Sequence, residues 1–323
     1  MNFSQNPIYM KVEPDLKMEF GKFGGMYVPD PFSPALEKLA KRASEVVATT
    51  EFIKYRTQVL DSLAVEVPTI IKVGEIKNAE VFKIKAPIFE LVISGYLALA
   101  KCLELKPSFA AFDEKKLRIL VKGAETLDLK AYLALSKKLA QNTQLVEQFQ
   151  KSGQDVDARK CVELFDDPIL YAFQYFISNI GNALYVPSAA NSGPYPFPSL
   201  TISFASGFTK IVKEYLKKEF AGSPAAILAA SYPGTSAIAA FKACENCDAR
   251  LISVEQAFEF DRYDCYCGQF TKVVKVGEEE RVLCPELVFA WESSEVDRVY
   301  ANDFTTALAA MDIQGKVLIV EDC

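Results

Sequence analysis

Eight cysteines and a complete lack of histidine set the limits of the chemistry open to this chain of 323 residues. Without an imidazole there is no Ser-His-Asp or Cys-His nucleophile, no histidine general base and no His-ligated metal. Covalent or acid–base work falls to carboxylates, Lys, Tyr and Cys. Cys244-x-x-Cys247 followed by Cys265-x-Cys267 offers four thiolates at spacings a zinc site uses, with Cys284 as a substitute for one. Cys244 and Cys247 also stand at i, i+3 near a predicted helix end, where small buried residues are ordinary. Plain packing is therefore the reading adopted, with metal binding and a disulfide or redox role as its alternatives. Gly234-Thr235-Ser236 opens a predicted helix, and its N–H groups could hold a small anion. The simpler reading is that Thr235 or Ser236 caps that helix.

The elements that would position these groups follow from periodicity. Leu36, Leu39, Ala40 and Ala43 recur at helical spacing within a mostly helical stretch from Ser33 to Leu63. Val67–Val73 is extended, Glu80–Lys85 alternates like a strand closed by Pro87, and Ile88–Leu105 is a helix with one apolar face. Leu117–Val121 is a short strand, and helices are predicted over Leu129–Leu139 and Asp166–Ile180. Asn191–Pro198 is a rigid Pro-rich loop, and Ser206–Phe220 an amphipathic helix. Ala225–Ala230, Leu251–Glu255 and Val317–Val320 are further buried strands. Strands alternating with helices predict parallel sheet covered by helices. Trp291 is assigned to core or interface, and Glu255 to a solvated or capping position at a strand end.

Composition narrows the function classes. Half the residues are hydrophobic and 24% charged, the balance of a globular protein. A net charge of -6 supplies no basic field for nucleic acid or anionic membrane. The Lys-rich runs Lys137-Lys138 and Lys213–Lys218 are solvated helix faces. The longest apolar run, Leu91–Ala100, is half the roughly 20 residues a membrane span needs, and Met1–Met10 lacks the apolar core of a secretory signal. Eight cysteines in so long a chain read as thiols of a reducing intracellular compartment.

One stretch is more specific than the rest. Gly21-Lys-Phe-Gly-Gly-Met-Tyr-Val-Pro29 packs three glycines into five residues, allowing positive φ and close approach, with Phe23, Met26 and Tyr27 around the turn. It resembles the N-terminal signature G-x-F-G-G-x-Y-V-P of the tryptophan synthase β subunit family. Gly193-Pro-Tyr-Pro-Phe-Pro198 is similar to that family's G-P-H-P-Y-P, Leu251–Glu255 to its L-I-G-V-E strand, and Ala290-Trp-Glu-Ser-Ser294 to its A-L-E-S-S. The resemblance implies a fold-type-II pyridoxal phosphate scaffold of α/β class, with two three-layer domains that each contain a parallel sheet. The expected division is 1–64 plus 89–198 for the first domain and 65–88 plus 199–323 for the second.

The same resemblance locates the family's catalytic groups, and their positions here hold other residues. The cofactor lysine of H-K-T-N falls on Phe89, and a phenyl ring forms no imine. The acid/base glutamate falls on Lys122, and the cradle after it holds Gly123 but also Glu125 and Asp128. The glycine-rich phosphate loop becomes Tyr232-Pro233-Gly234-Thr235-Ser236, where Pro233 removes a donor. The serine that meets the pyridine nitrogen falls near Cys323. The expectation is a pseudoenzyme without a cofactor or metal, serving as a structural or regulatory subunit that binds itself or other proteins. Its interface is expected at Phe23, Gly24, Gly25, Met26 and Tyr27, because the family's signature lies near the surface that meets the α subunit. No small-molecule ligand is expected. The alternatives are an active pyridoxal-dependent lyase with a displaced lysine (Lys85, Lys101 or Lys122) and a small-molecule sensor using the old cleft.

Overall fold

Continuous apolar runs, the mark of strands covered on both faces, form the centre of the larger sheet. The computed structural model describes residues 19–63, 65–112, 118–122, 162–164, 181–187, 193–244, 247–256, 259–266 and 268–322. The first strands are β1 (Glu19–Phe20), β2 (Phe23–Gly24), β3 (Ile70–Ile76) and β4 (Ala79–Ala86). Next come β5 (Lys106–Phe112), β6 (Arg118–Lys122), β7 (Val162–Leu164) and β8 (Ala183–Val186). They are followed by β9 (Ala226–Ala230), β10 (Arg250–Glu255), β11 (Phe260–Tyr266) and β12 (Gln269–Val276). The last are β13 (Glu279–Val282), β14 (Asp297–Tyr300) and β15 (Gly315–Asp322). The described α-helices are α1 (Ser33–Val46), α2 (Thr50–Leu63), α3 (Ile88–Leu103), α4 (Phe197–Glu219), α5 (Thr235–Phe241), α6 (Pro285–Glu292) and α7 (Phe304–Ala310).

The chain divides into two compact units. One joins Met1–Val28, Glu66–Val92 and Ala189–Cys323; the other joins Pro29–Val65 and Ile93–Ser188. Residues 19–28 fall in the unit that contains Ala189–Cys323. The physical reason is strand pairing, since Gly24 of β2 pairs with Phe270 of β12.

The first unit carries a six-stranded sheet in the order β14-β10-β9-β15-β4-β3. All its neighbours are parallel except the β3–β4 hairpin at one edge. One face of the central strands buries Ala226, Leu228, Ile252, Val317 and Ile319 with Ala307 and Leu308 of α7. The alternate residues Ile227, Ala229, Leu318 and Val320 are equally buried. α4 begins at Phe197 rather than at Ser206, because Pro198 fits the first turn of a helix, where its missing N–H has no partner to lose. Its buried stripe of Leu200, Phe204, Phe208, Val212 and Leu216 recurs every four residues.

A second sheet of the same unit is antiparallel, running β1-β2-β12-β11 with β13 on β12. The sequence reading assigned no strands to β11, β12 and β13.

In the other unit the mostly helical stretch from Ser33 to Leu63 is two helices, with residues 47–49 between them. α1 buries Leu36, Leu39, Ala40 and Ala43, the predicted stripe. The sheet order is β7-β6-β5-β8. Only β5–β8 is parallel; β6 runs antiparallel to both its neighbours. The strand predicted at Leu117–Val121 is therefore present as β6, without the parallel partners expected for it. The helices predicted over Leu129–Leu139 and Asp166–Ile180 lie outside the described residues, as do Gly123, Glu125 and Asp128.

Candidate functional site

The loop between β9 and α5 leaves the carboxyl end of a central parallel strand, the place where open α/β sheets put their ligands. Ser231 is tied back to the sheet by its N–H, which donates to Val254 O at 2.9 Å. Gly234 then takes φ +86° and stands as the N-cap of α5 with no side-chain cap. Neither Thr235 nor Ser236 caps the helix, contrary to expectation. Both are buried, and Ser236 Oγ has no hydrogen-bond partner among the described residues. A Cβ on Gly234 would lie 3.0 Å from Cys284 Cβ and 3.1 Å from Ser231 O. Gly234→Ala is therefore expected to cost about 1–3 kcal/mol, through the left-handed backbone and the contact with fixed backbone. A lowered melting temperature checks it; an unchanged one would mean that the loop relaxes freely.

This loop does not fit a phosphoryl group. Pro233 has no N–H to donate, and one side of Gly234 is filled by Cys284 and Leu287. Tyr232 is half-buried against the cluster of Phe23, Val274, Leu283 and Val288, with the Arg281 guanidinium 5.3 Å from its ring centre. Phe89, in the first turn of α3, is half-buried. Its phenyl ring offers no amine to a pyridoxal aldehyde.

Behind the loop sits a buried ion pair that the sequence reading missed. Lys242 lies in the 3-10 turn Lys242–Cys244 directly after α5, and Glu286 in the first turn of α6. Their Nζ and Oε1 atoms are 3.0 Å apart, and both side chains are withdrawn from solvent. Burial pulls the lysine down to about 8 despite the opposing carboxylate. Burial likewise pushes Glu286 up to about 7, with the ammonium pulling the other way. Cys284 is driven up to about 12 by burial and by Glu286, which leaves it an unreactive thiol. Glu295 is raised to about 7 by burial and the Glu286 charge. The signal was present in the sequence, as a lone lysine ending the apolar run Ala237–Phe241 and a lone glutamate preceding Leu287-Val288-Phe289-Ala290.

A second polar cluster occupies the ends of β10 and β14. Arg298 Nε donates to Glu255 Oε2 at 2.5 Å, and its Nη1 to Asp261 Oδ2 at 3.2 Å. The guanidinium lies 4.6 Å from the Trp291 ring centre and 4.8 Å from that of Tyr300. Lys272 Nζ reaches Asp261 at 2.8 Å, and Trp291 Nε1 donates to Ser253 Oγ at 2.5 Å. Glu255 is thus no solvated strand-end carboxylate. It is buried and ion-paired, with burial raising its pKa and Arg298 opposing the rise. Trp291 belongs to the half-buried layer beside this cluster.

The glycine signature follows β1 and supplies the turn at residues 21–22, β2, which pairs with β12, and the irregular segment after it. Gly24 and Gly25 both have positive φ, and Tyr27 N–H donates to Gly268 O at 2.6 Å. Phe23 is 1% exposed and stacks on Phe270, with ring centres 5.9 Å apart. Lys22 lies 4.7 Å above the Tyr263 ring and pairs with Glu292 at 3.0 Å. Of the five residues expected at an interface, Phe23, Gly24 and Gly25 are buried within the chain's own unit, and Met26 is half-buried. Tyr27 is 50% exposed and Tyr263, whose ring shares the neighbour Phe270, 45%.

No family model matches the chain. The likeness is to tryptophan synthase beta chains. That of Staphylococcus aureus strain Newman is 23% identical over 262 residues, covering 76% of this chain and 64% of its own. That of strain JH9 is 23% identical over 255 residues, covering 74% and 62%. The chain thus spans less than two thirds of the length of these curated relatives. A likeness at this level suggests that family, and the mixed parallel and antiparallel architecture is consistent with its scaffold.

Lys85 on β4 and Lys101 in the last turn of α3 are exposed, and Lys122 ends β6. Cys244 and Cys247, read as packed thiols with metal binding or a disulfide or redox role as alternatives, form a disulfide. Their sulfurs are spent on each other and unavailable as thiolate ligands. Cys265 is exposed on β11, Cys284 is buried, and Cys267 and Cys323 lie outside the described residues. Among the described residues no cluster of His, Cys, Asp or Glu could hold a metal ion, and no helix is long and apolar enough to cross a membrane.

Proposed function

We propose that this chain is a catalytically silent, tryptophan synthase beta-like protein that serves as a structural or regulatory binding subunit, either self-associated or within a larger assembly. The observation that carries the reading is the loop at the carboxyl end of β9. Where the family cradles a phosphate, Pro233 lacks a donor and Gly234 packs onto Cys284 and Leu287. Phe89 at the position assigned to the cofactor lysine, and Lys122 at that of the acid/base glutamate, support the same reading. A scaffold with its chemistry replaced but its core intact retains surfaces, and the exposed Tyr27 and Tyr263 are of the type enriched at interfaces.

The alternative, an active lyase with a displaced lysine, would have to use an exposed side chain at Lys85 or Lys101, or Lys122. The two readings separate in one experiment. The purified protein is mixed with pyridoxal phosphate, reduced with borohydride, digested and mapped. The expected result is no stoichiometric lysine adduct, and no turnover of serine and indole in the wild type or in Phe89→Lys. A single lysine labelled in full, with visible absorbance lost on reduction, would overturn the proposal. Light scattering of the same sample should show a dimer or larger species, or a stable complex with a co-purified protein.

A further inference from the structure

We propose that Cys244–Cys247 is a thiol–disulfide exchange site, opened by an attacking thiolate at Cys247 and closed again by Cys244. The two cysteines are three positions apart. The stabilisation a disulfide gives grows with the length of the loop it closes, so this one does little as a brace. The backbone around it is already held. Cys247 N–H donates to Cys244 O at 3.2 Å, Asp248 N–H to Ser223 Oγ at 3.1 Å, and Arg250 N–H to Ala225 O at 3.1 Å. A cross-link that joins no separate elements is placed to be made and broken without dismantling the fold.

The two sulfurs are also unequal. Cys244 is 3% exposed, whereas Cys247 is only partly buried. Exchange requires access to the sulfur that is attacked. An incoming thiolate therefore reaches Cys247 Sγ, forms a mixed disulfide there and expels Cys244 as a thiolate that takes up a proton. A second external thiolate then attacks the mixed disulfide at the external sulfur, releasing Cys247 as a thiol. Two external thiols are oxidised to one disulfide, and the Cys244–Cys247 bond gains two electrons and two protons. In the reverse direction Cys244 resolves the mixed disulfide on Cys247.

Of the other described cysteines, Cys284 is sealed in the core, while Cys102 and Cys265 are free thiols that burial and a neighbouring carboxylate push up from their ordinary value. The site also has a route into the fold, because the 3-10 turn that ends at Cys244 begins at Lys242, the buried partner of Glu286.

The test uses the intact protein equilibrated in glutathione buffers of graded reduced-to-oxidised ratio, then alkylated without unfolding and mapped by mass. The Cys244–Cys247 peptide is expected to pass reversibly from disulfide to alkylated at Cys247, while the buried Cys284 stays unlabelled. With oxidised glutathione, Cys244→Ser should accumulate the adduct on Cys247 at about tenfold or more the level that Cys247→Ser accumulates on Cys244. A wild-type pair that stays unreduced until the protein unfolds would overturn the proposal, as would equal adducts in two folded variants. Should either variant fail to fold, the wild-type titration decides alone.

Discussion

Glu286→Gln is expected to destabilise the protein by about 3–5 kcal/mol, the cost of leaving one charge of a buried pair uncompensated. Lys242 can escape that penalty only by giving up its proton. Neutralising an ordinary lysine at pH 7 costs about 4.6 kcal/mol, which sets the ceiling of the effect. Removing both charges in Lys242→Met with Glu286→Leu should cost far less, because the surrounding Ala243, Leu287 and Val288 are apolar and buried. The pH dependence has two opposite slopes. Glu286 is raised from 4.5 to about 7, so the folded state binds the proton more tightly, and stability falls as pH rises across that interval. Glu295, raised to about 7, adds to the same fall. Lys242 is lowered from 10.5 to about 8, so the unfolded chain holds the extra proton, and stability rises with pH across that interval. The pair's contribution is therefore least near neutrality. Denaturant melts of the wild type and the double variant from pH 5 to 10 should differ by this two-sided profile. A flat difference, or a double variant as damaged as Glu286→Gln, would refute the account.

The sequence made that pair hard to find for a physical reason. Lys242 and Glu286 are forty-four positions apart, and each taken alone looks like a helix-end charge that would reach solvent. Only the packing of α5 against α6 shows that neither does. Elements whose side chains repeat within the chain were legible, including α1 with its four-residue stripe, β4 with its alternation, and β9 and β15 as unbroken apolar runs. The β11–β13 meander was not, although Phe270 to Val276 is rich in β-branched residues and Gly277 supplies the positive φ of the turn. In β11 the consecutive residues Asp261, Arg262 and Tyr263 are all exposed, so neither face shows the apolar alternation of a half-buried strand. Orientation was also out of reach. The period of β6 identified a strand, but only its partners make it antiparallel. The helix-cap expectation at Thr235 and Ser236 failed because Gly234 takes the N-cap conformation itself, which turns both hydroxyls inward. Glu255 failed in the opposite sense: a carboxylate at a strand end looks solvated until Arg298, forty-three positions later, folds over it.

Phe23→Ala and Tyr27→Ala, four residues apart in one signature, are expected to fail in different ways. Phe23 is wedged against Val274, Leu283 and Val288 beneath a stack with Phe270. Its removal should cost about 3–5 kcal/mol of folding stability. Tyr27 is half exposed, its ring 6.4 Å from that of Phe270, and its backbone N–H donates to Gly268 O, a bond that an alanine keeps. Its truncation should alter stability by about 0.5 kcal/mol or less. If the exposed tyrosines Tyr27 and Tyr263 meet a protein partner, the same truncation should cost about 2 kcal/mol of association, a roughly 30-fold weaker Kd. The measurement pairs thermal melts with sedimentation or light scattering over a dilution series. The binding-subunit reading requires Tyr27→Ala to shift the association midpoint while its melt overlays the wild type's monomer-limit curve. A wild-type protein that stays monomeric at micromolar concentration and captures nothing would remove the interface altogether. A Tyr27→Ala protein that melts early but associates normally would assign the tyrosine to the same internal clamp as Phe23, and the signature would then serve only to fix the edge of the β12 sheet.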